Sequence, residues 1–568
     1  MTVRGPDGAG EWFSADGCVG LVHRRLAILD LSGSGAQPMA TSDGSARIVF
    51  NGEIYNFRQL RAQLERKGYR FRSQSDTEVL LHLYQEYGRG MVGELRGMFA
   101  FALWDARARG VLLARDPFGI KPLYYIDDGG CLRAASQVKA LLAAGDIDTS
   151  ANAAGHVGFF VWGHVPEPWT LYKGIRALPA GTTLWIEQHG RMAKPETYFD
   201  LTTELQRIEQ HPETLCSAEA QERLRVALAD SVAHHLIADV PVGVFLSSGL
   251  DSTSIAALAA EHTQEAIRTV TLGFTEYRSS PDDEVPLAEE FARDFGFEHS
   301  TRYVQCSDFQ ADFDAVMAAM DQPSIDGVNT YFVSKAAHEL GLKVALSGLG
   351  GDELFGGYSS FQEIPRLVRY VKPFAFLGKG FRWVSGALLR QFTSPKYASL
   401  FEYGGSYGGA YLLRRGLCLP WELPKFLDAD LAREGWRELS SLNLLEATTS
   451  GIAASRLRVS ALETAWYMRN QLLRDTDWAS MAHSLEVRVP LVDIDLWREV
   501  MKLVAAGHLA GKSEMARCPR HQLPAAILDR TKTGFSVPVR GWLRSHGTGE
   551  TRGLLGWAQI VYRNAWGA

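Results

Sequence analysis

The chain has 568 residues, 46% of them hydrophobic and 22% charged, with a formal net charge of −6. That length exceeds what one compact core holds, so two or more domains are expected, and the charge balance excludes the basic footprint of a nucleic-acid binder. Six cysteines (Cys18, Cys131, Cys216, Cys306, Cys418, Cys518) lie far apart without CxxC spacing, which argues against a disulfide framework or a zinc site and for a reducing cytoplasm. Met1 and the residues after it lack a basic segment followed by an apolar run, so no secretory leader is expected, and no stretch approaches the ~20 apolar residues of a membrane span.

The first two hundred residues read as short strands separated by turns. Gly20 to Leu29, Arg47 to Phe50, Phe99 to Trp104 and Val111 to Arg115 are apolar or alternating runs, most of them near glycine turns. Two helices interrupt them. Asn56 to Lys67 carries Leu60 and Leu64 one turn apart with Gly68 after its end, and Asp76 to Tyr87 has acids in its first turn. This pattern implies a two-layer α+β domain rich in antiparallel sheet.

Residues 203–220 are polar and helix-prone and read as a linker. Beyond them strands alternate with helices: Val240 to Leu246, Arg268 to Phe274 and Lys343 to Leu346 are strands, and Thr253 to Glu261, Leu287 to Arg293 and Tyr331 to Leu340 are helices. That alternation implies α/β architecture with a parallel sheet covered on both faces. Residues 360–460 read as helical and irregular. Within them, Arg366 to Lys396 is basic without an acid, with Phe374, Phe376, Phe381 and Trp383 interleaved. A helical insertion with its aromatics turned inward is the favoured reading there, and an anionic surface the alternative.

Two loops carry chemistry. Ser247-Ser248-Gly249-Leu250-Asp251-Ser252 follows a buried strand and opens a helix, an arrangement that presents backbone N–H groups, hydroxyls and a helix N-terminus to phosphate. By itself it is also an ordinary capped turn. Ser347-Gly348-Leu349-Gly350-Gly351-Asp352-Glu353 repeats the arrangement after another strand, and two such loops at the ends of parallel strands would face each other across a crevice. Asp251 and Asp352 could then share one Mg²⁺. Gly507 to Ser513 approximates a Walker A loop, but it has three residues between its glycines where that motif has four, and it lacks a preceding strand.

With Asp477-Trp-Ala-Ser-Met-Ala-His-Ser-Leu-Glu-Val-Arg-Val-Pro-Leu-Val-Asp493 and Arg530-Thr-Lys-Thr-Gly-Phe-Ser-Val-Pro538, these loops resemble the class B, glutamine-hydrolysing asparagine synthetases, in family order from about residue 4 to 545. The resemblance implies an N-terminal class II glutamine amidotransferase-like αββα domain of the Ntn type over 1–202, a linker over 203–220, a pyrophosphatase-loop domain over 221–545 and a tail over 546–568. It implies ATP held by Leu246, Ser247, Ser248, Gly249, Asp251, Ser252, Leu272, Ser347 and Gly348, with Mg²⁺ on Asp251 and Asp352. A carboxylate, aspartate first, would become an acyl-adenylate with release of pyrophosphate, and ammonia would displace AMP. Lys532 matches the family's lysine that neutralises charge on the phosphorus in flight. Arg25, Asn51, Gly52, Glu53 and Asp76 match the glutamine pocket, Arg25 for the carboxylate and Glu53 and Asp76 for the ammonium. Monomer and homodimer both remain open.

The chain departs from the family in two places. The family opens on a cysteine whose own amine activates its thiol, on a strand before the Arg4-Gly-Pro-Asp-Gly block. Here Met1-Thr2 precedes that block, so either the recorded start lies downstream of the true one or the glutaminase half is inactive and ammonia is used directly. In addition, Leu349 stands where asparagine synthetases carry Glu, which opens the acceptor to another carboxylate, such as a cell-surface sugar acid or a secondary metabolite. A cyclase resembling β-lactam synthetases and a non-catalytic relative are the remaining alternatives; the glutamine-pocket residues argue against the first, and Asp251, Asp352 and Lys532 against the second.

Overall fold

The computed structural model describes all residues except 189–191, 379, 383–394, 510, 531–536, 539–540, 543–553 and 568. The first half is built on a six-stranded antiparallel sheet whose spine is Ala46–Ile54, Gly97–Asp105, Gly110–Arg115 and Thr182–Glu187. Period-two alternation turns Ile48, Phe50, Phe99, Phe101 and Leu103 to one face. The helices Phe57–Arg66 and Asp76–Tyr87 cover that face with Leu60, Leu64, Val79, Leu80 and Leu83. The opposite face packs Ala100, Leu113 and Leu184 against Leu123, Tyr125 and Leu178 around a small three-stranded sheet. A hairpin, Gly8–Phe13 with Gly20–Arg25, stands apart from these sheets.

Residues 203–220 do not form an extended connector. Leu201–Gln210 is a helix that buries Leu201, Leu205 and Ile208, and Ser217–His235 follows as a long helix. Both pack into the core beneath the second sheet.

That sheet has five parallel strands in the order Glu298–Val304, Arg268–Phe274, Val242–Phe245, Val344–Leu346 and Glu486–Arg488. Its strands are short and apolar because helices cover both faces. The first strand in sequence, Val242–Phe245, lies between the second and the fourth, so the strand order reverses at its C-terminal end. Ligands of open α/β sheets bind at such reversals.

Residues 360–460 form a helical layer. Its first helix, Ser360–Val371, runs into the turn Lys372–Leu377, and there the expected inward packing fails: Tyr370 is 68% exposed, Phe374 51% and Phe376 81%. Phe381 does pack, edge-on to Phe401 at 4.7 Å, while Trp383 lies outside the described residues. The C-terminal stretch read as a tail ends in a helix, Leu555–Trp566, that buries Trp557, Val561 and Tyr562 and hydrogen-bonds Tyr562 to His156 at 2.7 Å. Among the described residues, no helix is long and apolar enough to cross a membrane.

Candidate active site at the strand reversal

A cavity of about 1400 Å³ opens at the C-terminal ends of the parallel strands. Leu246 leaves the strand Val242–Phe245 with its N–H still bonded to the Val270 carbonyl, and the next residues form a loop folded on itself. The hydroxyls of Ser247 and Ser252, expected to face phosphate, lie 2.9 Å apart, and the Ser252 hydroxyl accepts the Ser247 N–H at 3.0 Å. These bonds shape the turn. Ser248, buried, has a hydroxyl with no partner among the described residues, and that group is free to donate. The helix Leu250–Ala260 starts on Gly249 without a side-chain cap, leaving its first N–H groups to a ligand.

The second loop leaves Val344–Leu346 with the Ser347 N–H on the Arg488 carbonyl at 2.9 Å. It meets the first loop closely enough to require glycine. A Cβ on Gly348 would lie 2.9 Å from the Asp251 Cβ, and one on Gly351 would lie 2.5 Å from an Asp251 carboxylate oxygen. This contact brings Asp251 and Asp352 onto a common point, which is occupied by a lysine from a third place in the chain. The Lys512 ammonium lies 2.5 Å from Asp352 and closer still to Asp251. Lys512 opens the helix Lys512–Ala516 within the Gly-Lys-Ser stretch set aside above. That stretch has no P-loop geometry, yet its lysine belongs to the phosphate side of the cavity. Lys532 lies outside the described residues.

Leu246 and Leu272 are buried in the cavity wall, and Leu349 is half-buried there. Next to Asp352, burial and then the Asp352 charge push the Glu353 carboxyl up to about 8. Glu353 accepts a hydrogen bond from the Tyr358 hydroxyl at 2.8 Å. The Arg415 guanidinium lies over Tyr358 and Tyr467, 4.4 and 3.9 Å from their ring centres, and pairs with buried Glu463 at 2.9 Å. Tyr467 and Gln471 reach the cavity from a π-helix, Glu463–Leu473, whose Asn470 accepts the Glu167 N–H at 2.9 Å. One element thus touches both the cavity and the N-terminal half.

The residues matched to a glutamine pocket lie around the strand Ala46–Ile54, but their side chains have other partners. Arg25 donates to the carbonyls of Leu29, Asp30 and Ser32, and so caps a loop. Asp76 accepts the Ile54 N–H at 3.0 Å, and burial pushes its carboxyl up to about 6. Asn51 reaches Ser136 at 3.4 Å, and Gly52 has φ of 148° with Met98 and Phe99 against its α-carbon. Glu53 was expected to face a ligand's ammonium. In the structure it is buried against Arg488, 2.7 Å away, because that guanidinium is itself fully buried and needs counter-charge.

Two domain models match the chain: the glutamine amidotransferase domain over residues 1–199 and asparagine synthase over residues 223–553. Asparagine synthetase (glutamine-hydrolysing) 1 of Bacillus subtilis is 33% identical, the match covering 95% of this chain and 83% of that protein. The chain belongs to the asparagine synthase family. Asparagine synthetase (glutamine-hydrolysing) 3 of the same organism is 29% identical over 99% of this chain and 85% of its own, and an amidase of Gibberella zeae, chry2, is 32% identical over 63% and 54%. Among solved structures, the glutamine phosphoribosylpyrophosphate amidotransferase of B. subtilis aligns with 50% of this chain and 67% of its own at 20% identity, with a TM-score of 0.25.

The blocks that carry the family resemblance have a physical reading. Arg488, from the Glu486-Val-Arg488 block, donates to Glu53, Glu486 and the carbonyls of His235 and Ile237. Asp477 accepts a two-pronged pair from Arg4 at 2.7 and 2.9 Å. These blocks join the amidotransferase half to the synthase half.

Proposed function

We propose that the chain is an AMP-forming ligase that adenylates the side-chain carboxylate of aspartate and amidates it with ammonia, giving asparagine, AMP and pyrophosphate. The observation that carries this reading is the convergence of Asp251, Asp352 and Lys512 where two glycine-bearing loops meet at the strand reversal. The triphosphate would lie on the open N-terminus of the helix Leu250–Ala260, with the Ser248 hydroxyl and Lys512 facing its oxygens and adenine against Leu246 and Leu272. Ser347 and Gly348 would border the nucleotide from the second loop. An aspartate oxygen forms the new bond to the α-phosphorus as the bond to the bridging oxygen breaks. Ammonia then adds to the acyl carbon, its nitrogen gives up a proton to solvent, and the acyl–oxygen bond breaks to release AMP. Lys512, and Lys532 by family match, would meet the charge that builds on the phosphoryl oxygens.

Two carboxylates that converge on one ammonium are also placed to hold a single divalent cation, and magnesium binds through one or two carboxylates together with phosphate oxygens. Asp251 and Asp352 would hold it; when bound, it would neutralise charge on the pyrophosphate. The reading divides the chain into an amidotransferase half, 1–202, and a synthase half, 221–545, joined through 203–220 and followed by 546–568. Six unpaired thiols, three of them exposed, fit a reducing cytoplasm.

Glutamine is the family's nominal nitrogen source, and the fold proposed for the first half is that of an Ntn-type amidotransferase. In this chain Arg25 is committed to loop carbonyls, which supports ammonium as the working donor, while Glu53 gives one oxygen to Arg488 and keeps the other without a partner among the described residues. Pyrophosphate and amide formation, measured with aspartate and ATP and with either ammonium or glutamine, test the whole reading. Ammonium should support both products and glutamine little amide. Absence of pyrophosphate with every carboxylate offered would refute adenylation, and equal amide yield from glutamine would refute the nitrogen assignment.

A further inference from the structure

The helix Ser360–Val371 and the turn Lys372–Leu377 that continues it carry a surface the cavity does not use. Ile364 and Val371 are buried, and Phe361, Leu367 and Val368 pack partly buried against the core, so one stripe of the helix faces inward. The other side presents Arg366, Arg369 and Tyr370 to solvent, at the three- and four-residue spacing that sets side chains on one face. Beyond Val371 the burial stops, and every residue from Lys372 to Leu377 is exposed. A run exposed on all sides projects from the surface. Pro373 fixes φ in its first turn, which stiffens the tip.

The tip is apolar and its base is cationic. Phe374 leans edge-on toward Phe401, with 6.3 Å between ring centres, and Phe376 is the most exposed large hydrophobic side chain among the described residues. The acids that flank this stretch are already engaged: Glu363 pairs with Arg414 at 2.7 Å and Glu402 with Arg382 at 3.4 Å. Among the described residues, no acid lies within ion-pair reach of Arg366, Arg369 or Lys372. Three unneutralised cations thus stand beside an apolar tip, in a chain whose net charge is −6. Exposed apolar groups rimmed by polar ones mark docking surfaces.

A second copy of this chain is a poor occupant, because a two-fold contact through the patch would set the cations against their own copies. A projecting tip needs a surface that yields around it and carries negative charge. A bilayer with anionic headgroups does both. Aromatic rings settle at the boundary between headgroups and acyl chains, while Arg and Lys lay their stems along apolar neighbours and keep their charges among the phosphates. We infer that this helix and turn attach the protein to the surface of an anionic lipid bilayer. Phe374, Phe376 and Leu377 insert, and Arg366, Arg369 and Lys372 meet the headgroups. The attachment is peripheral and reversible, since one tip and three cations fall far short of a spanning helix. It does not depend on which carboxylate the cavity takes.

Cosedimentation of the full chain with vesicles tests this, using phosphatidylcholine alone and phosphatidylcholine with about one third phosphatidylglycerol. The chain should pellet with the anionic vesicles and stay in solution with the neutral ones, and binding should weaken as salt is raised. Arg366→Gln, Arg369→Gln and Lys372→Gln combined should weaken it about 100-fold, roughly 5-fold for each cation. Phe376→Ser should weaken it about 10-fold or more, the scale of withdrawing one Phe side chain from an apolar phase. All four positions are exposed, so both variants should keep the parent's circular dichroism and melting temperature. No pelleting of the parent with anionic vesicles at low salt overturns the inference and needs no variant to fold. Equal pelleting with both kinds of vesicle overturns it too, as does anionic binding that survives both variants. So does a dimer of the parent in sedimentation velocity that Phe376→Ser breaks, which would make a second copy the occupant.

Discussion

Lys512 shows how a single side chain can be legible in type and illegible in place. Its Gly-Lys-Ser setting signals a phosphate-seeking lysine, but the glycine spacing is wrong for a P-loop and no strand precedes it. Only the fold brings it across 261 positions to Asp251. With both aspartates against it, its ammonium is held in one place, and burial does not neutralise it because the two carboxylates raise its pKa. Lys512→Met should lower pyrophosphate release about 100- to 1000-fold, the usual cost of removing one group that meets transition-state charge. Circular dichroism should show the fold retained. Activity within a few-fold of the parent would remove Lys512 from the phosphate side. Glu53 illustrates the opposite case: its Asn-Gly-Glu motif was plain in the sequence, but the partner that decides where its carboxylate points, Arg488, lies 435 positions away.

At the scale of elements, the alternation of strand and helix after residue 240 was legible because parallel strands buried on both faces must be short and apolar. The two loops followed from it, since each begins where such a strand ends. The π-helix Glu463–Leu473 was not legible: its wider turns shift side chains by less than one position per turn, a change that apolar spacing over eleven residues does not resolve. The turn Lys372–Leu377 also escaped, because aromatic content alone does not tell which way Phe374 and Phe376 face. The contact between the two loops makes its own prediction. Gly351 is buried, and an added Cβ would meet Asp251 oxygens at 2.5 and 3.0 Å. Gly351→Ala should therefore displace the Asp251 carboxylate and raise the KM for ATP by about 10-fold or more, while the melting temperature falls by only a few degrees. An unchanged KM for ATP would show that the loops have room to part.

For the whole molecule, the two halves are joined by buried charge: Arg4 with Asp477, Arg96 with Asp493, Glu53 with Arg488, and Lys121 with Glu486. Each pair joins residues more than 350 positions apart, so the sequence showed two domains but not that they share a polar interface. Burial on this scale also shapes the response to pH. His23, His156 and His483 are pushed down to about 4, and His164 and His235 to about 3, all by burial. Below the ordinary histidine value of 6.5 the unfolded chain takes up protons that the folded chain refuses, so their contribution is lost as pH falls from 6.5 toward 3. Glu353 and Asp475, pushed up to about 8 by burial, act in the other direction. Between the ordinary carboxylate range and pH 8 the folded chain holds protons that the unfolded chain releases, so these two groups cost stability as pH rises through that window. From pH 4 to 6.5 the five histidines outweigh the two carboxyls; above 6.5 their contribution fades and the cost of the raised carboxyls remains, with Glu53 and Asp326, also raised by burial, acting in the same direction. Melting temperature measured against pH should therefore peak at about 6.5 and decline toward 8. In an Asp475→Asn protein the decline above 6.5 should be shallower, because one of its sources is gone, and the rise from pH 4 to 6.5 should be steeper, because the carboxyl that opposed it there is gone as well. A melting temperature that climbs steadily from pH 6.5 to 8 would show that Glu353 and Asp475 are ionised in the folded chain, and with them the acidic wall of the cavity.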